Sequence, residues 1–201
     1  MIRLDRILFA ALFLNTSIAV SDKWVSPSEI FPISSNGQYL AKIKPGNSLG
    51  DTFGFSELPK GVYATATIYK YDFGSDSYKK ISEFPLKNPV APVEVLVSKD
   101  GRVVTIDNWH NVGYGKVIVA YDAIGNVLVE MELSDIYSVD KLEKIQQSVS
   151  SKWWRCDSPK LSEDEQSVEI VDYMQSTISI YMTDGELKIE KGEPNGQKCD
   201  F

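Results

Sequence analysis

Apolar positions along this chain fall in short β-type runs broken by turns rich in glycine and aspartate. The middle of the chain shows the pattern best. VEVLVS (93–98), RVVTID (102–107), KVIVAYD (116–122) and NVLVEMEL (126–133) are rich in Val and Ile and are separated by KDG, the loop NWHNVGYG and AIG. Runs of this length between such turns predict an antiparallel four-stranded meander. In the last run Val127, Val129 and Met131 fall on one face and Leu128, Glu130 and Glu132 on the other, so the sheet is expected to have a core face and a partly wet face.

A serine-led turn opens the same pattern three times at a spacing of 64 residues: SSNGQYLAKI from Ser34, SKDGRVVTID from Ser98 and SEDEQSVEIV from Ser162. A repeat of four-strand size predicts stacked sheet modules. The first module has QYLAKIK (38–44), YATATIYKYD (63–72) and YKKISEFPL (78–86), preceded by the less regular KWVSPSEIFPIS and carrying an extra loop, PGNSLGDTFGFSELPKGV. The third has KWWRC (152–156), SVEIVDYM (167–174), STISIYMT (176–183) and ELKIEK (186–191). Leu40, Val104 and Val168 stand in register as expected core positions, and Tyr71, Tyr121 and Tyr181 end the corresponding third strands. Gly37 and Gly101 supply the left-handed conformation of a tight turn, whereas Glu165 stands where the third glycine belongs, so that turn must differ in geometry or carry strain.

Between the second and third modules, SDIYSVDKLEKIQQSVSS predicts one amphipathic helix over about 135–150. Ile136, Val139, Leu142 and Ile145 recur every third residue and Ser138 is placed to cap the start. Such a helix is expected to pack on a sheet; a partner-binding helix is the alternative.

The opening MIRLDRILFAALFLNTSIAV has Arg3 and Arg6, a short apolar run from Ile7 to Leu14 and a small-residue site at Ser17-Ile18-Ala19, the layout of a signal peptide over residues 1–20. The run falls short of the roughly 20 apolar residues needed to span a bilayer. Residues 21–201 then form a single domain, with modules at about 23–86, 93–133 and 152–192, expected to be periplasmic or secreted with no membrane association after signal cleavage. A net charge of −7 without a basic block argues against nucleic acid as a partner. The two cysteines, Cys156 and Cys199, suit a disulfide in an exported protein and would pin the C-terminal tail to the start of the last module; two unpaired thiols are the alternative.

Turns of the form S-x-D-G before a strand, and strands ending V-x-Y-D-x-x-G, resemble the units of WD-type and bacterial periplasmic β-propeller proteins. The resemblance rests on Ser98, Asp100, Gly101, Tyr121, Asp122 and Gly125, and on Ser34, Gly37, Tyr71 and Asp72; the Trp-Asp ending that names the WD family is absent. The segment TIDNWHNVGYGKVIVAYD is similar to a stretch of exported bacterial propeller-like proteins of no assigned activity. The resemblance implies an all-β fold of three four-stranded antiparallel propeller-like blades, an open or partial propeller with one inserted helix. A closed propeller takes four to eight blades.

One loop is too elaborate for a connection alone. Asp107, Asn108, Trp109, His110, Asn111 and Tyr114 lie within nine residues framed by Gly113 and Gly115. Aromatic rings that cover apolar faces, beside amides and a carboxylate that fix orientation, are what a glycan or peptide ligand needs. In the competing reading Trp109 and Tyr114 pack between blades while Asp107, Asn108 and His110 tie down the loop. Trp153 and Trp154 are read as a core residue and a cap on the helix-to-sheet junction, or as an aromatic surface shared with Trp109.

His110 oriented by Asp107 could serve as a general base, but no nucleophile motif accompanies it. One histidine and two pairing cysteines do not make a zinc site, and no nucleotide fingerprint is present, so no metal and no cofactor is expected. The reading is therefore an exported, non-catalytic binding or protein-interaction module of the cell envelope. Its rivals are a small hydrolase or lyase using Asp107 and His110, and a β-scaffold completed by self-association into a dimer.

Overall fold

The structure is a computed structural model that describes residues 25–182, 189–191 and 199. The expected signal peptide, the start of ELKIEK and most of the tail GEPNGQKCDF lie outside the described residues. The fold is all-β, built from three antiparallel sheets in chain order. The first contains β1 (Tyr39–Lys44), β2 (Thr65–Asp72) and β3 (Ser77–Pro85). β4 (Pro92–Val97), β5 (Val103–Asn108), β6 (Ile118–Tyr121) and β7 (Val127–Met131) form the second, in that order. The third is β8 (Lys160–Leu161), β9 (Ser167–Val171), β10 (Thr177–Tyr181) and β11 (Ile189–Lys191).

The expected four-strand meander of the middle module is present. In the first module KWVSPSEIFPIS does not become a fourth strand; it makes isolated bridges, Ile30 to Ile43 and Ile33 to Leu40. KWWRC is not the first strand of the third module either: that role falls to β8, while Lys152 bridges Gln147 and Arg155 bridges Asp172. The Trp154 and Arg155 side chains are bound to Asp107 of the middle sheet, and that attachment holds the segment across the sheets instead of along the third one.

The middle sheet lies between the other two. Val103, Val119 and Tyr121 pack with Ala41, Ile43, Ala66, Ile68 and Phe84 of the first sheet. Val104, Ile106, Ile118 and Ala120 pack on the opposite side with Val168, Ile170, Ile178 and Ile180 of the third. Every residue of the central strands β5 and β6 is buried, so the expected partly wet face is confined to the edge strands β4 and β7, which keep Glu94 and Glu130 half-buried. The closeness is visible at Gly125, at φ +97°, where a Cβ would lie 2.4 Å from the Phe84 ring. Val104 and Val168 are core residues, but Leu40 is half-buried because Ala41 and Ile43 take the inward face of β1. Tyr121 and Tyr181 do end β6 and β10, whereas Tyr71 is the penultimate residue of β2, which runs on to Asp72.

The single expected helix is two short ones, α1 (Leu133–Ile136) and α2 (Val139–Leu142). Residues spaced by three slip back about 60° at each step of an α-helix, so four of them spread over half the circumference and cannot share one face. Ile136 and Ile145 are buried while Val139 is 72% exposed. The break falls at Tyr137, which is extended and buried, with its hydroxyl donating to Asp172 Oδ2 at 3.2 Å. Burial and the Asp172 carboxylate push the Tyr137 pKa far above that of an ordinary phenol.

The three serine turns converge at one end of the stack. In each, the serine hydroxyl donates to the residue two places on (Asn36, Asp100 or Asp164) and accepts from an amide at the start of the next strand or just before it (Tyr39, Arg102 or Ser167). Gly37, Gly101 and Glu165 occupy the same left-handed place at φ +69°, +87° and +56°. The third turn therefore keeps the common geometry and carries the strain. Its compensation is visible: the buried Glu165 carboxylate accepts from Ser35 Oγ of the first turn at 2.8 Å and from the Lys99 amide of the second.

Cys156 and Cys199 form the expected disulfide, a bond that oxidising compartments sustain. Among the described residues no helix is long and apolar enough to cross a membrane.

Candidate functional site

The loop between β5 and β6 is built on a buried carboxylate. Asp107 is fully buried at φ +57°. Its Oδ1 accepts from the Gly113 amide at 2.9 Å and from Trp154 Nε1 at 2.8 Å, and its Oδ2 from Arg155 Nε at 2.8 Å. Arg155 also pairs with Glu94 at 2.7 Å and donates to the Asp157 carbonyl. Burial works against the Arg155 charge, but Asp107 and Glu94 outweigh it and raise its pKa. A second tie is Asn108, which donates to the Tyr114 and Lys116 carbonyls at 2.9 and 3.1 Å and accepts from Asn88 at 2.8 Å. These bonds close the loop on itself and fix it to the third module.

The six singled-out residues part company here. Asn108, Asn111 and Tyr114 line a cleft of about 520 Å³; Asp107, Trp109 and His110 do not. Trp109 faces the other way, donating from Nε1 to the Val25 carbonyl at 2.9 Å beside Pro27 and Ile30. His110, at φ +68°, sits edge-on to Phe55 with ring centroids 4.8 Å apart. With both Asp107 oxygens engaged by Trp154, Arg155 and Gly113, that carboxylate acts on loop geometry. Trp154 is the core indole and the Trp153 amide bonds Gln146 after α2, so the pair joins the helical segment to the sheets.

The opposite wall of the cleft comes from the extra loop of the first module. A 3-10 turn at Leu49–Asp51 brings Gly50, Asp51, Thr52 and Phe53 over the cleft. The turn is held by Ser48, which donates to Asp51 at 2.6 Å and accepts from the Gly61 amide at 2.9 Å, and by Asn47, which accepts from the Val62 amide. Phe53 stacks on Tyr114, with centroids 4.2 Å apart and planes 7° apart, and Lys152 Nζ lies 4.8 Å from the Tyr114 ring centre. Asn111 joins the two walls by donating to the Phe53 carbonyl at 3.2 Å.

Charges around the cleft are paired with partners of opposite sign. Asp51 pairs with Lys60 at 2.6 Å; Lys87 and Lys116 pair with Glu130 at 3.0 and 3.1 Å; Lys116 also reaches Glu132 at 3.1 Å. The hydrogen bonds from Lys60 and then Ser48 lower the Asp51 pKa, and those that Lys116 donates to Glu132 and Glu130 raise its own. Burial, with Asp51 nearby, raises the Tyr63 pKa.

Sequence reading did not find Asp51, Phe53, Tyr63, Lys87, Lys116 or Glu132. The available signal was the length of the extra loop, since a long ordered insertion in a compact domain usually has a task. No family model matches the chain, and no curated protein matches it. Among the described residues no group of three or more His, Cys, Asp or Glu side chains is placed to hold a metal ion. The arrangement offers paired donors and acceptors, one exposed ring and a braced backbone, which suits holding a small polar molecule.

Proposed function

We propose that this protein is a non-catalytic binding module of the cell envelope, exported to the periplasm or beyond, with its ligand in the cleft between the 45–62 insertion and the 107–116 loop. The observation that carries this reading is the bracing of the cleft. Asp107 holds the Gly113 amide and ties the loop to Trp154 and Arg155, while Asn108 and Asn111 hold the Tyr114, Lys116 and Phe53 carbonyls, so binding needs little further ordering. A volume of about 520 Å³ lies within the roughly 300–1,000 Å³ typical of small-molecule sites.

The three sheets are, on this reading, blades of an open propeller sector. Support comes from their face-to-face order and from the gathering of the three serine turns around Glu165 at one end. The outward face of the first sheet carries Lys42, Thr67, Lys80 and Glu83, with Glu83 bonded to Thr67 and Lys80, which supports a stack that stands without a second copy.

The test is a thermal-shift screen of the mature protein against saccharides, peptides and divalent ions, since a ligand of the native state raises its melting temperature. A stabilising ligand whose effect disappears in Tyr114→Ala is expected. A ligand that stabilises Tyr114→Ala as well would place its site elsewhere, and silence across the whole screen would remove the small-ligand reading and leave the scaffold.

A further inference from the structure

We infer that the occupant of this cleft is a neutral saccharide stacked on Phe53, an inference that rests on the binding reading above. Phe53 is 55% exposed. One of its faces is covered by the parallel Tyr114 ring, so the exposed part of the residue is its other face and rim. A ring left wet in this way forgoes the stabilisation that burying it would bring. Its position is nevertheless held on both sides in sequence: Thr52 is buried with its hydroxyl on the Leu49 carbonyl at 2.6 Å, and the Phe53 carbonyl accepts from Asn111. The ring is thus presented as a flat, fixed platform at the lip of a polar cleft.

A flat apolar platform beside donors and acceptors matches one ligand chemistry. A pyranose has C–H bonds on a face that leaves water readily when laid on an aromatic ring, and equatorial hydroxyls that each donate and accept. Around the platform stand groups that can answer such hydroxyls: the Tyr63 phenol, the Lys116 ammonium and the Asp51 and Glu132 carboxylates.

Charge then separates a neutral sugar from the alternatives. Each of Asp51, Lys87, Lys116 and Glu132 already has a partner of opposite sign within 3.1 Å. A phosphate, a uronic acid or a peptide terminus would have to break one of those pairs to gain its own, whereas hydroxyls can add to paired charges without separating them. Binding should therefore depend little on salt.

The experiment is calorimetric titration of the mature protein with cellotriose, maltotriose and the N-acetylglucosamine trimer, beside galacturonate trimer and a tripeptide mixture as charged probes, at low and high salt. At least one neutral trimer is expected to bind with an affinity nearly unchanged by salt. Phe53→Ala should weaken it about tenfold or more, as removal of an exposed aromatic anchor does, and Phe53→Trp should restore it. Binding of only the charged probes, abolished by Tyr114→Ala, would overturn the ligand class and keep the site. Neutral-sugar binding untouched by both Phe53→Ala and Tyr114→Ala would overturn the site itself, and failure of every neutral trimer to bind would overturn the sugar assignment.

Discussion

Glu165 is the residue on which the convergence of the three modules can be tested with one substitution series. Its side chain is 9% exposed and its backbone is left-handed at φ +56°. Two opposing quantities act there. The strained conformation costs a residue with a Cβ about 1–2 kcal/mol relative to glycine. The carboxylate accepts from Ser35 Oγ and the Lys99 amide, and hydrogen bonds to a charged group contribute about 1.5–3 kcal/mol each before water replaces part of them. Its ion pair with Lys99 Nζ at 3.4 Å adds little, since that lysine is half exposed. Glu165→Ala removes the bonds and keeps the strain, for a net loss of about 3 kcal/mol, or ~6–12 °C in melting temperature for a chain of this size. Glu165→Gly removes both, so it should be more stable than Glu165→Ala by about 1 kcal/mol and still less stable than the parent. Urea unfolding of the three proteins measures the order directly. If Glu165→Gly equals or exceeds the parent, the side chain holds nothing together and the argument fails.

Other outcomes follow from the same geometry. Asp107→Ala leaves Trp154 Nε1 and the Gly113 amide without their buried acceptor and Arg155 with Glu94 as its one carboxylate, and should cost about 3–5 kcal/mol by chemical denaturation, whereas His110→Ala should stay within about 1 kcal/mol. Reducing the Cys156–Cys199 bond, which spans 43 residues, should lower stability by about 2–4 kcal/mol, read from denaturation with and without reductant. Asp72 has its pKa lowered to about 2, chiefly by Lys79 and then Ser75 and the Gly74 amide. The folded state binds this proton less readily than the unfolded chain, so the contribution is complete above about 3.8 and is lost as pH falls through about 2. Carboxyl carbon NMR should show Asp72 titrating near 2, and a value at or above 3.8 would refute the contact.

Much of the fold was legible because local rules and the tertiary arrangement agree. The Val- and Ile-rich runs between glycine and aspartate turns became β4 to β7, and the serine turns kept one geometry even where glycine gave way to glutamate. The double burial of the middle sheet also left a trace: VVTI and VIVAY are nearly continuous apolar runs, as strands covered on both faces require, while VLVEM alternates because β7 lies at the edge. What escaped was non-local. Nothing near Asp107 in sequence announces that its partners are Trp154 and Arg155, 47 and 48 residues away. The single expected helix does not form because residues spaced strictly by three drift around the helix, and only a mixture of threes and fours stays on one face. The six residues singled out in the 107–115 loop divide between bracing it, lining the cleft and packing away from it. That division depends on which side chains the 45–62 insertion covers, a contact between segments more than 50 residues apart.

The most direct test of the account is amide NMR of the labelled mature protein titrated with the neutral trisaccharides. Shifts confined to Gly50–Phe53, Tyr63, Lys87, Asn108, Asn111 and Tyr114–Lys116 are predicted, because those residues line one cleft. Shifts gathered instead around Trp109, Val25 and Ile30, or around the serine turns at Ser34, Ser98 and Ser162, would contradict it.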